Sequence, residues 1–385
     1  MEIQEYLIPA KVEDQSYELY QWGNSVRQYT ESNFPDLEGI KIAILGIGES
    51  RNSTGNEGCA GAPDHVRNHF YKLSTIPGVS VADIGNLVPG ETTKDTYLAV
   101  EYVCSELLAN NITPIIIGGS QDLTFANYLA YQKLKQTINI VCIDRKVDLG
   151  DSEESIDSNS YLSHIIGHPS SLLFNLSLAA YQSYFVNDEE IEALKKMYFD
   201  VYRLGHIQPK MEEAEPIVRN ADILSFDISS IRQSDAPACA NTTPNGLYGE
   251  EACQIMRYAG MSDKLSSVGI YELNPLFDNR GQTAYLAAQM IWYFLEGYSN
   301  RKNDFPVVAG KDYMKYRVAI KAPEHEIVFY KSLKTDRWWM EVPYKVDDKS
   351  KFERHHLVPC SYDDYLLACS EEMPDRWWQA YQKLN

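Results

Sequence analysis

The amino-acid sequence predicts an α/β protein: a three-layer α/β/α arrangement around a mainly parallel sheet of about eight strands, followed by a small α+β C-terminal extension. Three observations predict it. Short apolar runs such as Ile40-Lys-Ile-Ala-Ile-Leu-Gly46, Pro114-Ile-Ile-Ile117 and Ile223-Leu-Ser-Phe-Asp-Ile228 have the length of strands buried on both faces. Stretches of helical period separate them, the pattern that right-handed crossovers require. Several of the runs end in polar groups, where an open α/β sheet places its ligand.

Composition sets the limits. A chain of 385 residues, 44% of them hydrophobic, buries a large core, read here as one unit over residues 1–300 and an extension over 301–385. A formal charge of −19 repels nucleic acid and anionic membranes, so the expected partner is a small molecule or another protein. No apolar run has the length of a membrane span, and Met-Glu-Ile-Gln-Glu-Tyr lacks the features of a signal peptide; the expected location is cytoplasmic. Seven scattered cysteines without a Cys-x-x-Cys pair read as reduced thiols.

In order, residues up to about Glu38 read as a helical lead-in ending at Phe34-Pro35. After the strand from Ile40 comes a polar loop, Gly48 to Pro63, which reads equally as a ligand loop or a long connector, then a helix from near Asp64 carrying Arg67. Strand Val79–Ile84, helix Lys94–Ala109, strand Pro114–Ile117 and helix Leu123–Leu134 follow. The alternation continues through strands Leu172–Leu178 and Val201–Leu204, with helix Asp188–Met197 between them. Strand Ile223–Ile228, helix Gly249–Ala259, strand Leu265–Tyr271 and helix Thr283–Gly297 complete it.

The stretch Ile140-Val-Cys-Ile-Asp-Arg-Lys-Val-Asp-Leu-Gly150 carries the chemistry. If the backbone stays extended, a period of two points Asp144, Lys146 and Asp148 to one side. The same residues also read as a strand followed by an acidic surface turn, since Asp151, Glu153 and Glu154 come next. Two other strand ends offer polar groups, Ser120-Gln121-Asp122 and Asp227-Ser229, and carboxyl ends of parallel strands share one edge.

With these landmarks, residues 40 to 298 resemble the ureohydrolase family, which includes arginase, agmatinase and formimidoylglutamase. Gly58-Cys-Ala-Gly-Ala-Pro63 with Arg67 is similar to its Gly-Pro-x-x-Ile-Arg element, and Glu272-Leu-Asn-Pro275 to its Glu-x-Asn-Pro element. Gly118-Gly-Ser-Gln121 stands where Gly-Gly-Asp-His belongs, Asp144-Arg-Lys-Val-Asp148 where Asp-Ala-His-x-Asp belongs, and Ser225-Phe-Asp-Ile-Ser229 where Ser-Phe-Asp-x-Asp belongs. Those segments build the family's binuclear manganese site.

The departures fall on the ligands. Of the implied set, Asp144, Asp148 and Asp227 remain, whereas Gln121 and Lys146 replace histidines and Ser229 replaces an aspartate. The resemblance therefore implies one divalent cation (Mn²⁺, Mg²⁺ or Ca²⁺) on Asp144, Asp148, Asp227 and Gln121, or none, with the Lys146 ammonium in a second metal's place and binuclear Mn²⁺ unexpected. Without an ion, the excess charge would raise carboxylate pKa values or draw in Arg145 or Arg232. By the same resemblance, Glu251, with Asn245 and Ser229, would meet the substrate. His164 stands where the family often has a proton-transfer histidine, but Asn159-Ser-Tyr-Leu-Ser-His164 matches that motif poorly and His164 reads rather as an ordinary helix residue. Two functions stay open: a formimidoylglutamase-like hydrolase of a linear amidine or guanidine through a reduced site, and a catalytically silent relative (a pseudoenzyme) that binds a ligand or partner. The family also implies a homo-oligomer.

Beyond Tyr298 the resemblance ends. Tyr316–Ile320, Glu326–Tyr330 and Trp338–Val342 read as antiparallel strands and Tyr362–Cys369 as a helix. Arg337-Trp-Trp339 and Arg376-Trp-Trp378 read as packing the extension onto the main body, or as a subunit contact. His355 and His356, adjacent and so pointing to opposite faces, read as surface residues.

Overall fold

In a computed structural model, which describes residues 2–13, 15–151, 153, 155–170, 172–306, 312–321, 324–344 and 353–385, the apolar runs assemble into one large sheet. Its ten strands are β1 (Leu7–Ile8), β2 (Arg27–Gln28), β3 (Ile42–Ile47), β4 (Val81–Leu87), β5 (Thr113–Gly118), β6 (Ile138–Ile143), β7 (Leu173–Tyr181), β8 (Asp200–Arg203), β9 (Ile223–Asp227) and β10 (Ser267–Tyr271). The order is β1-β4-β3-β5-β10-β9-β6-β7-β8, with β2 also on β4. Every pairing is parallel except that of β1 with β4. The eight expected strands are β3 to β10; the two-residue β1 and β2 add to an edge that the sequence left unassigned.

The three layers follow from the period of two within continuous apolar runs. Along β3, Ile42 and Ile44 join one core while Ala43, Leu45 and Ile47 join the opposite one. Along β6, Val141 and Ile143 face the first core, while Ile138, Ile140 and Cys142 face a third cluster. Helices Ala62–Phe70, Gly249–Met261 and Gln282–Ser299 cover one face, and Thr93–Ala109 and Leu123–Lys133 the other. Among the described residues six cysteines are buried, Cys369 is exposed, and all seven are free thiols.

The helical lead-in is corrected. Among the described residues before 38 are a single turn at Trp22–Ser25, a 3₁₀ segment at Glu2–Tyr6 and two short strands. Tertiary contacts hold this segment: Trp22 stacks on Phe70 at 5.7 Å, and its backbone N–H donates to Leu73 O. A short segment satisfied by a neighbour gains nothing from nucleating a helix of its own.

A second, antiparallel sheet follows, β11 (Tyr313–Lys321), β12 (Glu324–Ser332), β13 (Trp338–Glu341) and β14 (Leu357–Cys360), in that order. Helix Tyr362–Cys369 lies where it was expected; β14 and helix Asp375–Leu384 were not foreseen. Trp338, Trp339 and Trp377 of the Arg-Trp-Trp segments are buried, while Trp378 is exposed. Arg219 lies 4.3 Å over the Trp339 ring and donates to Trp338 O, Arg337 pairs with Glu215 at 3.1 Å, and Arg376 with Glu213 at 3.1 Å. His355 is corrected too: it is 2% exposed and stacks on Phe174 at 4.1 Å, because Arg354 beside it reaches the buried Asp222.

Candidate functional site

The strand order places the carboxyl ends of β5, β10, β9 and β6 side by side, with a polar residue at or just beyond each: Gln121, Glu272, Asp227 and Asp144. Gly119 lets the first of these loops close, since a Cβ there would lie 1.9 Å from Glu49 O.

β6 stops at Ile143, so a turn rather than a continuing strand gathers Asp144, Lys146 and Asp148. The Lys146 backbone N–H donates to Asp144 Oδ1 at 3.2 Å. Its ammonium lies 3.1 Å from Asp148 Oδ1 and donates to Asn159. Asp227 accepts the Ser229 backbone N–H at 2.6 Å, and Ser229 Oγ accepts Arg145 Nε at 3.2 Å. The Arg145 guanidinium packs 4.8 Å over Phe185, whereas Arg232 pairs with Asp235 elsewhere. Glu154, counted with the acidic turn, lies outside the described residues.

Glu272 is the group that sequence reasoning passed over, treating it only as part of a landmark. It directly follows Tyr271, the register partner of Asp227, and holds a left-handed φ of 66° that a non-glycine residue adopts only when its surroundings enforce it. Its carboxylate accepts the Gln121 backbone N–H at 2.9 Å, Asn56 Nδ2 at 2.7 Å and Ser53 Oγ at 3.0 Å. An acid at the end of a strand beside β9 was the signal available.

Burial sets the electrostatics. Asp144, Asp148, Asp227 and Glu272 are each at most 5% exposed. Burial, followed by the charge of Asp148, holds Asp144 well above the usual carboxylate range. Burial lifts Asp148 to about 6 although Lys146 pulls it down. Burial and Asp144 lift Asp227 to about 7, and burial and Asp227 lift Glu272 to about 7. Burial opposes the Lys146 charge, yet Asp148 and Asp144 outweigh it and raise the ammonium pKa. Four carboxylates face two fixed cations, Lys146 and Arg145, so two negative charges remain to be met by protons or by an ion.

Among the described residues no three His, Cys, Asp or Glu side chains are gathered closely enough to hold an ion by themselves. Gln121 changes that count. Its side-chain amide sits 2.9 Å from Asp144 Oδ2 and 3.0 Å from Asp227 Oδ2. With the amide oxygen inward, these separations match the edge of about 3.0 Å expected between neighbouring ligands of an octahedral ion with bonds of about 2.1 Å. Of the four expected donors, Asp144, Asp227 and Gln121 stand together as groups that could hold a hard cation, while the Lys146 ammonium lies beside Asp148.

The cavity among Gln121, Arg145, Lys146, Asp227, Ser229 and Glu272, closed by Ser158, Asn159, Cys239 and Asn241, measures about 10 Å³, room for about one water. A far larger groove of about 870 Å³ lies between helix Ala214–Arg219 and the extension. Most of its charges are paired, as in Lys331 with Asp336 and Arg337 with Glu215, whereas the smaller space gathers the strand-end acids.

Three expected residues stand apart from that cavity. Glu251 caps its own helix, accepting the Tyr248 backbone N–H at 2.8 Å and Gln208 Nε2 at 3.1 Å. Asn245 is exposed and donates to Tyr184 Oη at 3.0 Å. His164 packs against Phe125, and burial lowers its pKa. From the His164 helix it is Tyr161 that reaches the site, with its hydroxyl 3.0 Å from the outer side of the Gln121 amide.

Residues 40–296 match the model of the arginase family. A formimidoylglutamase of Staphylococcus aureus is 27% identical over 290 residues, covering 70% of this chain and 93% of that protein. The structure of a Bacillus subtilis formimidoylglutamase superposes with a TM-score of 0.66 at 18% identity, over 77% of this chain and 97% of that one. A Trypanosoma cruzi formiminoglutamase solved with Mn²⁺ gives 0.62 at 18%, over 69% and 96%.

Proposed function

Because the chain belongs to the arginase family, we propose that it is a formimidoylglutamase-like hydrolase of a linear amidine whose site takes at most one divalent cation. The observation that carries this reading is the Lys146 ammonium, 3.1 Å from Asp148 and hydrogen-bonded to Asn159. One divalent ion would bring the four carboxylates and two fixed cations to neutrality; a second would leave a buried excess of positive charge.

Asp144, Asp227 and the Gln121 oxygen would hold the ion, which when bound lowers the pKa of water and polarises the amidine carbon. The protein's own groups do the rest. Lys146 opposes the rise that burial imposes on the Asp148 pKa, Arg145 steadies Ser229 and through it Asp227, and Glu272 faces the cavity where it can hold an amidinium or accept a proton. Glu272 thus takes the substrate-facing role that the sequence assigned to Glu251.

The small cavity favours a second reading, a catalytically silent relative that keeps the scaffold as a binding module. Release of ammonia or formamide from formiminoglutamate and other linear amidines, measured with and without Mn²⁺, separates the two. The enzyme reading expects cation-dependent release that Glu272→Gln abolishes and Lys146→Ala weakens. Absence of release across the panel at saturating Mn²⁺ contradicts it and leaves the silent reading.

A further inference from the structure

The Gln121 amide has two ways to face the aspartates that follow β6 and end β9. With its NH₂ inward it donates to Asp227 Oδ2 at 3.0 Å and Asp144 Oδ2 at 2.9 Å, and its oxygen accepts the Tyr161 hydroxyl at 3.0 Å. With its oxygen inward the NH₂ turns outward and donates to Ser225 Oγ at 3.4 Å. The amide then offers Tyr161 an N–H in place of its oxygen, and the hydroxyl's own proton is left with the Cys142 sulfur at 3.6 Å. Sulfur is a weak acceptor, and Tyr161 is 0% exposed, so bulk water does not supply a better one.

We propose that Gln121 is a two-position plug for the cation site and that Tyr161 holds it shut. In the shut position two N–H bonds take the place of an ion between the two carboxylates. A cation binds only once the amide has turned its oxygen inward, and affinity falls by the fraction of molecules that are shut. Tyr161 is then a positioning residue that works against binding. This inference rests on the single-cation reading above, but it makes a prediction of its own: deleting a hydrogen bond strengthens binding.

The test uses the full chain stripped with chelator and titrated with MnCl₂ by calorimetry, with thermal unfolding of the ion-free protein alongside. Tyr161→Phe is expected to bind Mn²⁺ about two- to tenfold more tightly than the wild type, the worth of one hydrogen bond. Its ion-free form should melt at a lower temperature. Gln121→Glu, titrated at pH 8 where an ionised side chain donates nothing and adds a negative ligand, is expected to bind more tightly still and to have the least stable ion-free form. Equal or weaker binding by Tyr161→Phe overturns the plug while leaving the single-cation reading intact; should that variant fail to fold, unchanged affinity in Gln121→Glu overturns it instead. Binding by either variant but not by the wild type supports the plug, the native site then being shut throughout. Failure of all three to bind overturns it, and with it the cation-dependent enzyme reading.

Discussion

Asp222 and Asp227 lie five residues apart at opposite ends of one strand, and both are buried. Asp222, just before β9, accepts the Asn139 backbone N–H at 2.9 Å and pairs with Arg354 at 2.6 Å and Lys264 at 3.8 Å. Asp227, which ends β9, has the Ser229 N–H and the Gln121 amide but, among the described residues, no ion-pair partner; burial lifts it to about 7 although Arg145 pulls it down. The difference separates structure from chemistry. The acid that holds the extension to the sheet has its charge answered by the protein; the acid at the ligand edge does not, and so is available to something that binds.

Removing each acid should have opposite effects. Asp222→Ala strands Lys264 and Arg354 and should cost about 3 kcal/mol in urea unfolding, as expected when a buried pair loses one partner. Asp227→Asn should raise the melting temperature in chelator, because an uncompensated charge is gone. If both variants are destabilised alike, the contrast fails. Lys146→Met comes next. It leaves Asp148 without its cation and should lower stability in chelator by about 1–2 kcal/mol, a loss that added divalent ion reverses.

The pH dependence has a defined sign. A carboxyl whose folded pKa is raised binds protons more readily when folded than when unfolded. Its contribution is complete below the unfolded value near 4 and is lost as pH rises through the folded values of about 6 for Asp148 and about 7 for Asp227 and Glu272. Ion-free protein should therefore melt progressively lower between pH 5 and pH 8 across that window, and saturating Mn²⁺ should flatten the slope. The smallest effect sharpens the same contrast with thiols. Cys369 should react with a thiol reagent at once, and Cys239, which lines the cavity, should react before Cys360 beneath the extension and more slowly when Mn²⁺ is present.

The main sheet was legible because parallel strands buried on both faces are written as apolar runs, as in β3, β5 and β6, whereas the edge strand β8, Asp200–Arg203, carries only a weak one. The acids at strand ends were legible for the same reason, since the topology sends Asp144 and Asp227 to one edge whatever their loops do. What was hidden depends on side-chain direction in irregular backbone. Nothing local says that Glu272 turns into the site at positive φ while Glu251 folds back to cap its helix, or that Tyr161 faces inward while His164 packs on Phe125. The burial of His355 was equally invisible, because it depends on Asp222, 133 positions away in the chain.

The central claim is that a side-chain cation has taken one of two metal positions. Elemental analysis after equilibrium dialysis of the full chain against saturating Mn²⁺ tests it directly. The account predicts no more than one manganese ion per chain in the wild type; two tightly held ions per chain would contradict it.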